Sequence, residues 1–190
     1  MKNGLYHIQL GGDIIKYYYT DKQYKELLAN LVIFVDTREQ KNQHILDWFD
    51  TNEVAYTSKA LKTGDYSFMV KANPDLGFLR DTYFTNDLII ERKNSVEELA
   101  GNLSDKSDRI FKEFSRMQNI ERCHILIENS SIDDVIEGNY RSNYNADSYL
   151  RTLLTLQKRC NFYLTFIEPE HTGKMIYEIC KNTLDSKILK

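Results

Sequence analysis

Two apolar residues, Ile89 and Ile90, run directly into the charged triplet Glu91-Arg92-Lys93. Side chains alternate along an extended chain, so Glu91 and Lys93 face one side and Arg92 the other. A carboxylate able to hold a cation, beside a lysine able to position and polarise a water, makes a compact hydrolytic pair. Two more stretches bring acids to comparable places. The run Leu31-Val-Ile-Phe-Val35 stops at Asp36-Thr37-Arg38-Glu39, and Gly64-Asp65 turns into a further apolar run. A lone acid at a strand end is usually a solvated cap. Several carboxylates arriving from neighbouring strands repel one another and resist ionisation unless a cation neutralises them. Hard oxygen ligands of this type suit Mg²⁺ or Mn²⁺ rather than zinc. The competing reading of the triplet is a sheet edge protected by charge. The apolar run ahead of it weighs against that, because edge strands seldom read as buried on both faces.

These residues need a sheet to bring them together. Leu31–Val35 and the stretch Cys123-His-Ile-Leu-Ile-Glu128 are short apolar runs of the kind that form strands covered on both faces. Further strands are expected around Tyr56, from Tyr66 to Val70, from Tyr83 to Glu91 and from Phe162 to Ile167. Helical spacing appears in residues 20–31, which open with the cap pair Thr20-Asp21, and in 42–52, 95–117, 146–160 and 170–184. Alternating apolar positions around Gly11-Gly12 suggest a small hairpin in the first twenty residues. Interleaved strands and helices make the class α/β, with a mixed central sheet flanked by helices.

Composition narrows the field. A chain of 190 residues with only 2 Pro and 8 Gly calls for short connections and one main domain. Its longest apolar run is far below the ~20 residues that cross a bilayer. Cys123, Cys160 and Cys180 are odd in number, far apart and without zinc spacing, so they read as buried thiols in a reducing compartment. The four histidines are scattered and suggest no constellation. The net charge of −3 argues against generic binding to nucleic acid, so any such role must rest on a local basic face.

The ordered set Val35-Asp-Thr-Arg-Glu39, Gly64-Asp65-Tyr66 and Ile89-Ile-Glu-Arg-Lys93 resembles the XPF-type structure-specific endonuclease domain, over about residues 31–168. The resemblance implies a restriction-endonuclease-like core and a divalent-metal phosphodiesterase site using Mg²⁺ or Mn²⁺. Carried over, Asp36, Glu39, Asp65 and Glu91 are its acidic residues and Lys93 its catalytic lysine. Asp65 and Glu91 are expected to ligate metal directly, with Asp36 nearby, while Arg38 and Arg92 hold phosphate or brace the site. The family usually has Asp four residues after its lysine; here Glu97 stands there.

Lys106, Arg109, Lys112 and Arg116 recur at helical spacing and form a stripe about 120° wide. A solvated helix face is the plain reading of such a stripe. Beside a metal site it becomes a surface that tracks DNA phosphates, and Arg109 resembles an arginine the family places in this region. Glu128, although at the end of a strand, is left out of the site.

Residues 1–30 form an expected N-terminal extension of hairpin and helix, ahead of a nuclease domain over 31–190. No helix-hairpin-helix module of the kind XPF-type nucleases commonly carry fits in the sequence. The chain therefore resembles a stand-alone form, of the sort bacteria and their phages carry, expected in the cytoplasm. The expected activity is endonucleolytic cleavage of branched, flap or fork DNA, with a second copy or a partner subunit adding DNA specificity. The alternative from another class is a non-catalytic subunit that binds DNA or a partner nuclease. Such members typically lose the Gly-Asp and Glu-Arg-Lys acids, which this chain keeps.

Overall fold

Seven short strands form one mixed sheet, whose two sides are covered by different helices. The computed structural model describes residues 8–10, 13–15, 19–105 and 115–188. Strands β1 (Ile8–Leu10) and β2 (Asp13–Ile15) form a separate antiparallel pair, as the hairpin reading expects. Helix α1 (Asp21–Ala29) starts at a capping box in which Thr20 and Gln23 satisfy each other's backbone N–H groups.

The main sheet comprises β3 (Leu31–Val35), β4 (Tyr56–Ser58), β5 (Tyr66–Val70), β6 (Thr82–Tyr83), β7 (Leu88–Lys93), β8 (Arg122–Glu128) and β9 (Phe162–Ile167). Its order is β4-β3-β5-β7-β8-β9, with β6 paired to β5. β3 runs antiparallel to β5 and β5 antiparallel to β7, whereas β7, β8 and β9 run parallel. β7 is therefore an inner strand, which removes the edge-strand reading of its charges. It also extends beyond the expected end at Glu91. The parallel register continues through Glu91↔Ile125 and Lys93↔Ile127, so the charged triplet belongs to the ladder itself.

One face of the sheet packs Tyr66, Phe68, Leu88, Ile90 and Leu126 against α1, α2 (Gln43–Thr51) and α6 (Pro169–Ile188). α6 comes so close to α2 that a Cβ on Gly173 would sit 2.8 Å from the Trp48 Cβ. The other face packs Phe34, Ile89, Ile125 and Ile127 against α3 (Val96–Asp105) and α5 (Ala146–Cys160). A short helix, α4 (Ile132–Glu137), has no counterpart in the sequence reading. Each fully buried side chain of the Phe or Leu class contributes about 1.5–3 kcal/mol, so two filled cores hold the sheet between them. Among the described residues, no helix is long and apolar enough to cross a membrane. The three thiols are free and buried.

Candidate active site

Gly64 fixes where Asp65 sits. Its φ of +73° lies in the left-handed region, and a Cβ there would come within 2.0 Å of Ile89 Cγ2 and 3.2 Å of the Ile90 carbonyl oxygen. Glycine lets the turn lie flat on β7. The Asp65 N–H then donates to the Ile90 carbonyl at 2.9 Å, and the Arg92 N–H donates to Asp65 Oδ2 at 2.7 Å. The Asp65 carbonyl accepts from the Asp36 N–H at 2.7 Å, joining the end of β3 to the same turn.

Glu91 and Lys93 share the face of β7 that carries Ile89, as the alternation argument requires. Their ammonium and carboxylate are in direct contact, and Glu98 Oε1 lies 3.8 Å from Lys93 Nζ. Burial and the neighbouring Glu91 charge push Asp65 well above the usual carboxylate range. Burial works against the Lys93 ammonium, but attraction to Glu91, reinforced by Asp65 and Glu98, outweighs it and raises its pKa. At neutral pH this lysine is a cation.

Arg92 points to the opposite face, among the core residues of α2 and α6. Its Nη1 donates to Glu39 Oε1 at 2.9 Å and its Nη2 to Glu128 Oε2 at 2.5 Å. Glu128 Oε1 lies 2.8 Å from His44 Nε2. The Arg92 and Glu128 side chains are 5% and 0% exposed, so this pair is sealed from water, while Glu39 and His44 reach towards solvent at its two ends. Burial alone would raise Glu128, but the bonds from Arg92 and His44 lower it. Of the two roles expected for Arg92, holding phosphate or bracing the site, its buried guanidinium fits the second: it lies inside the fold, against Glu39 and Glu128, and not at a DNA-facing surface. The signal for Glu128 was present in an apolar run that leads into an acid, as Ile89-Ile90 leads into Glu91.

Asp36, expected as a third ligand, is engaged elsewhere. Its Oδ1 accepts from the Arg38 backbone N–H and Nε at 2.9 and 2.6 Å, and its Oδ2 from the Leu61 N–H at 2.7 Å and Arg38 Nη2 at 3.2 Å. Burial raises this carboxylate, and those bonds more than offset it, leaving its pKa lowered. Arg38 also donates to the Leu61 carbonyl at 3.1 Å, so it braces the loop from the surface side. Glu97 is exposed on the first turn of α3. The carboxylate that approaches Lys93 is the next one, Glu98, which also accepts from the Asn94 N–H at 3.0 Å while Ser95 Oγ accepts from the Glu98 N–H at 3.3 Å. The Ser-x-x-Glu pattern at 95–98 was readable in the sequence; its serine half forms, while the glutamate carboxylate bonds the Asn94 N–H instead of that of Ser95. Lys106, Arg109 and Lys112 lie outside the described residues; Arg116 is exposed.

Among the described residues, no three His, Cys, Asp or Glu side chains converge into a group able to hold a metal ion. The pair Asp65 and Glu91 suits a less enclosed arrangement. Mg²⁺ is commonly bound through one or two carboxylates, with water and substrate phosphate filling the other positions. Burial and the Glu91 charge push Asp65 upward, and a cation placed there would offset that push.

The sheet order and the helices on its two faces define a restriction-endonuclease-like fold. XPF from Aeropyrum pernix is similar in structure, with a TM-score of 0.58 and 22% identity over 80% of this chain and 65% of that one. XPF from Aeropyrum pernix in complex with DNA is also similar, with a TM-score of 0.58 and 20% identity over 82% of this chain and 66% of that one. The chain thus spans slightly less than two thirds of those proteins. Residues 35–179 match the ERCC4 domain, and the chain belongs to that family. No curated protein matches it in sequence.

Proposed function

We propose that this chain is a divalent-metal-dependent DNA endonuclease that hydrolyses phosphodiester bonds at branched, flap or fork DNA. One observation carries the reading: the half-buried Asp65 and buried Glu91 carboxylates act on each other electrostatically, with cationic Lys93 in contact with Glu91 on the same strand face. Membership of the ERCC4 domain family and the DNA complex of the Aeropyrum pernix protein support it. Asp65 and Glu91 would hold Mg²⁺ or Mn²⁺, which when bound would supply Lewis-acid neutralisation of the phosphate. Lys93, kept protonated, donates N–H bonds to a phosphate oxygen or the attacking water and contributes fixed positive charge where negative charge develops. Arg92 orients the acids from behind, holding Asp65 through its backbone N–H and Glu39 through its guanidinium. Residues 31–190 form the nuclease domain in this reading and 1–30 its extension. A second copy or a partner subunit adds DNA specificity.

The engagement of Asp36 by Arg38 and Leu61 favours a second reading, a non-catalytic subunit that binds DNA or a partner. Cleavage of labelled duplex, single-stranded, 3′-flap and fork DNAs in Mg²⁺ or Mn²⁺ separates the two. The enzyme reading expects cutting that falls about a hundredfold or more in Asp65→Ala. DNA binding in Ca²⁺, with no cutting by either protein in either metal, overturns it in favour of the binding subunit.

A further inference from the structure

On the Ile89 face of β7, beside the acids, the surface opens into a cavity of about 810 Å³. Its wall is the segment that leads into Gly64-Asp65, so the same loop shapes the cavity and holds Asp65. Leu61 ties the cavity to the end of β3, lining the hollow while its N–H donates to Asp36.

The lining has a distinct chemistry. Lys59, Lys62 and Arg116 supply three cations, Asn86 and Asn119 supply amides, and no aspartate or glutamate is present among the described lining residues. None of the three cations makes an ion pair with another described residue. Lys59 is seated instead by aromatic faces, its ammonium 4.8 Å from the Phe34 ring centre and 4.4 Å from that of Tyr83. Cation–π contact positions the charge without neutralising it, which leaves it for an anion. Thr63, also in the wall, carries a buried hydroxyl with no hydrogen-bond partner among the described residues. In a chain with 28 acidic and 25 basic residues, such an acid-free cationic hollow is a local departure from the whole.

We propose that this cavity is a nucleoside-phosphate subsite, with the cations taking the phosphate and the two asparagine amides the edge of an unpaired base. Its volume falls in the range of sites for organic ligands of about 300–1,000 Å³ and is more than a bare phosphate needs. Amides offer both donor and acceptor, the pattern a base edge requires. A base inside a duplex shows only its groove edges and cannot enter a hollow, whereas an unpaired one can. Two sources carry this chemistry: an unpaired nucleotide of the strand being cut, and a free mononucleotide. The first rests on the endonuclease reading; the second does not.

Binding measured in EDTA separates this subsite from catalysis. Fluorescence anisotropy of the full chain compares labelled oligothymidylate of about ten nucleotides with a blunt duplex of equal length, for wild type, Lys62→Ala and Asn119→Ala. The subsite predicts tighter binding of the single strand than of the duplex, and a loss of about five- to tenfold in each variant that is confined to the single strand. Displacement of the label by dTMP assigns the site to nucleotides at large, while resistance to dTMP with the same variant sensitivity assigns it to the strand; both support the proposal. Equal binding by wild type and both variants overturns it. A protein that cuts no DNA yet shows this binding keeps the subsite and loses the endonuclease reading, and the converse result does the opposite.

Discussion

Arg92 does two separate jobs with two parts of one residue. Its backbone N–H holds Asp65 on one side of the strand, and its guanidinium holds Glu39 and Glu128 on the other. Removing one partner of a buried ion pair leaves an uncompensated charge, at a cost of about 3–5 kcal/mol. Glu128→Ala is therefore expected to lower unfolding stability by about 3 kcal/mol. Glu97→Ala, on an exposed turn, should stay within about 0.5 kcal/mol of wild type; urea denaturation checks both. The chemistry of Glu91 and Lys93 was legible because strand alternation alone puts them together. The burial of Arg92 was not, because a charged residue between two charged neighbours reads as solvent-facing until Glu128 and His44 are known to lie opposite.

At the scale of elements, the turn at Gly64 decides whether the acids meet. Gly64→Ala would force a left-handed backbone onto an L-residue and drive its methyl into Ile89, together costing about 2–4 kcal/mol. Thermal unfolding should register that loss, and Asp65 should shift relative to Glu91. The inner strands were readable as continuous apolar runs, since burial on both faces leaves no polar alternation. Expected as one strand, residues 83–91 contribute to two. β6 is only Thr82–Tyr83, and β7 starts at Leu88 after Phe84 accepts backbone bonds from Asp87 and Leu88. Two residues carry no period. α4 has six residues and one buried side chain, Val135, too little apolar pattern for a helical stripe.

For the molecule as a whole, acid sensitivity has a source away from the site. His124 on β8 stacks on Tyr163 of β9 with 4.9 Å between ring centres, and burial, helped by Arg122, pushes its pKa down to about 4 from 6.5. The folded form stays neutral while the unfolded chain takes up a proton below about 6.5. This contribution to stability is complete above that pH and is lost as pH falls towards 4. Discounted for partial exposure it amounts to about 2 kcal/mol. The thermal midpoint should fall over that window, and His124→Phe should flatten the fall; an unchanged slope in the variant would rule His124 out as its source. Timing during synthesis follows from another feature. Helix α6 lies over the same face as Ile90 and Leu126, packing Ile176 and Cys180 there, while Tyr24 reaches Asp185 at 2.6 Å and Lys187 reaches Asp87 at 2.6 Å. These contacts join residues far apart along the chain, and distant contacts form late. A nascent chain that has completed β7 already holds Asp36, Glu39, Asp65 and Glu91, but it lacks Glu128 and α6, which close over Arg92 in the finished fold. Closure of the fold over Arg92 therefore arrives not with those four acids but with the docking of a helix made about seventy-five residues later.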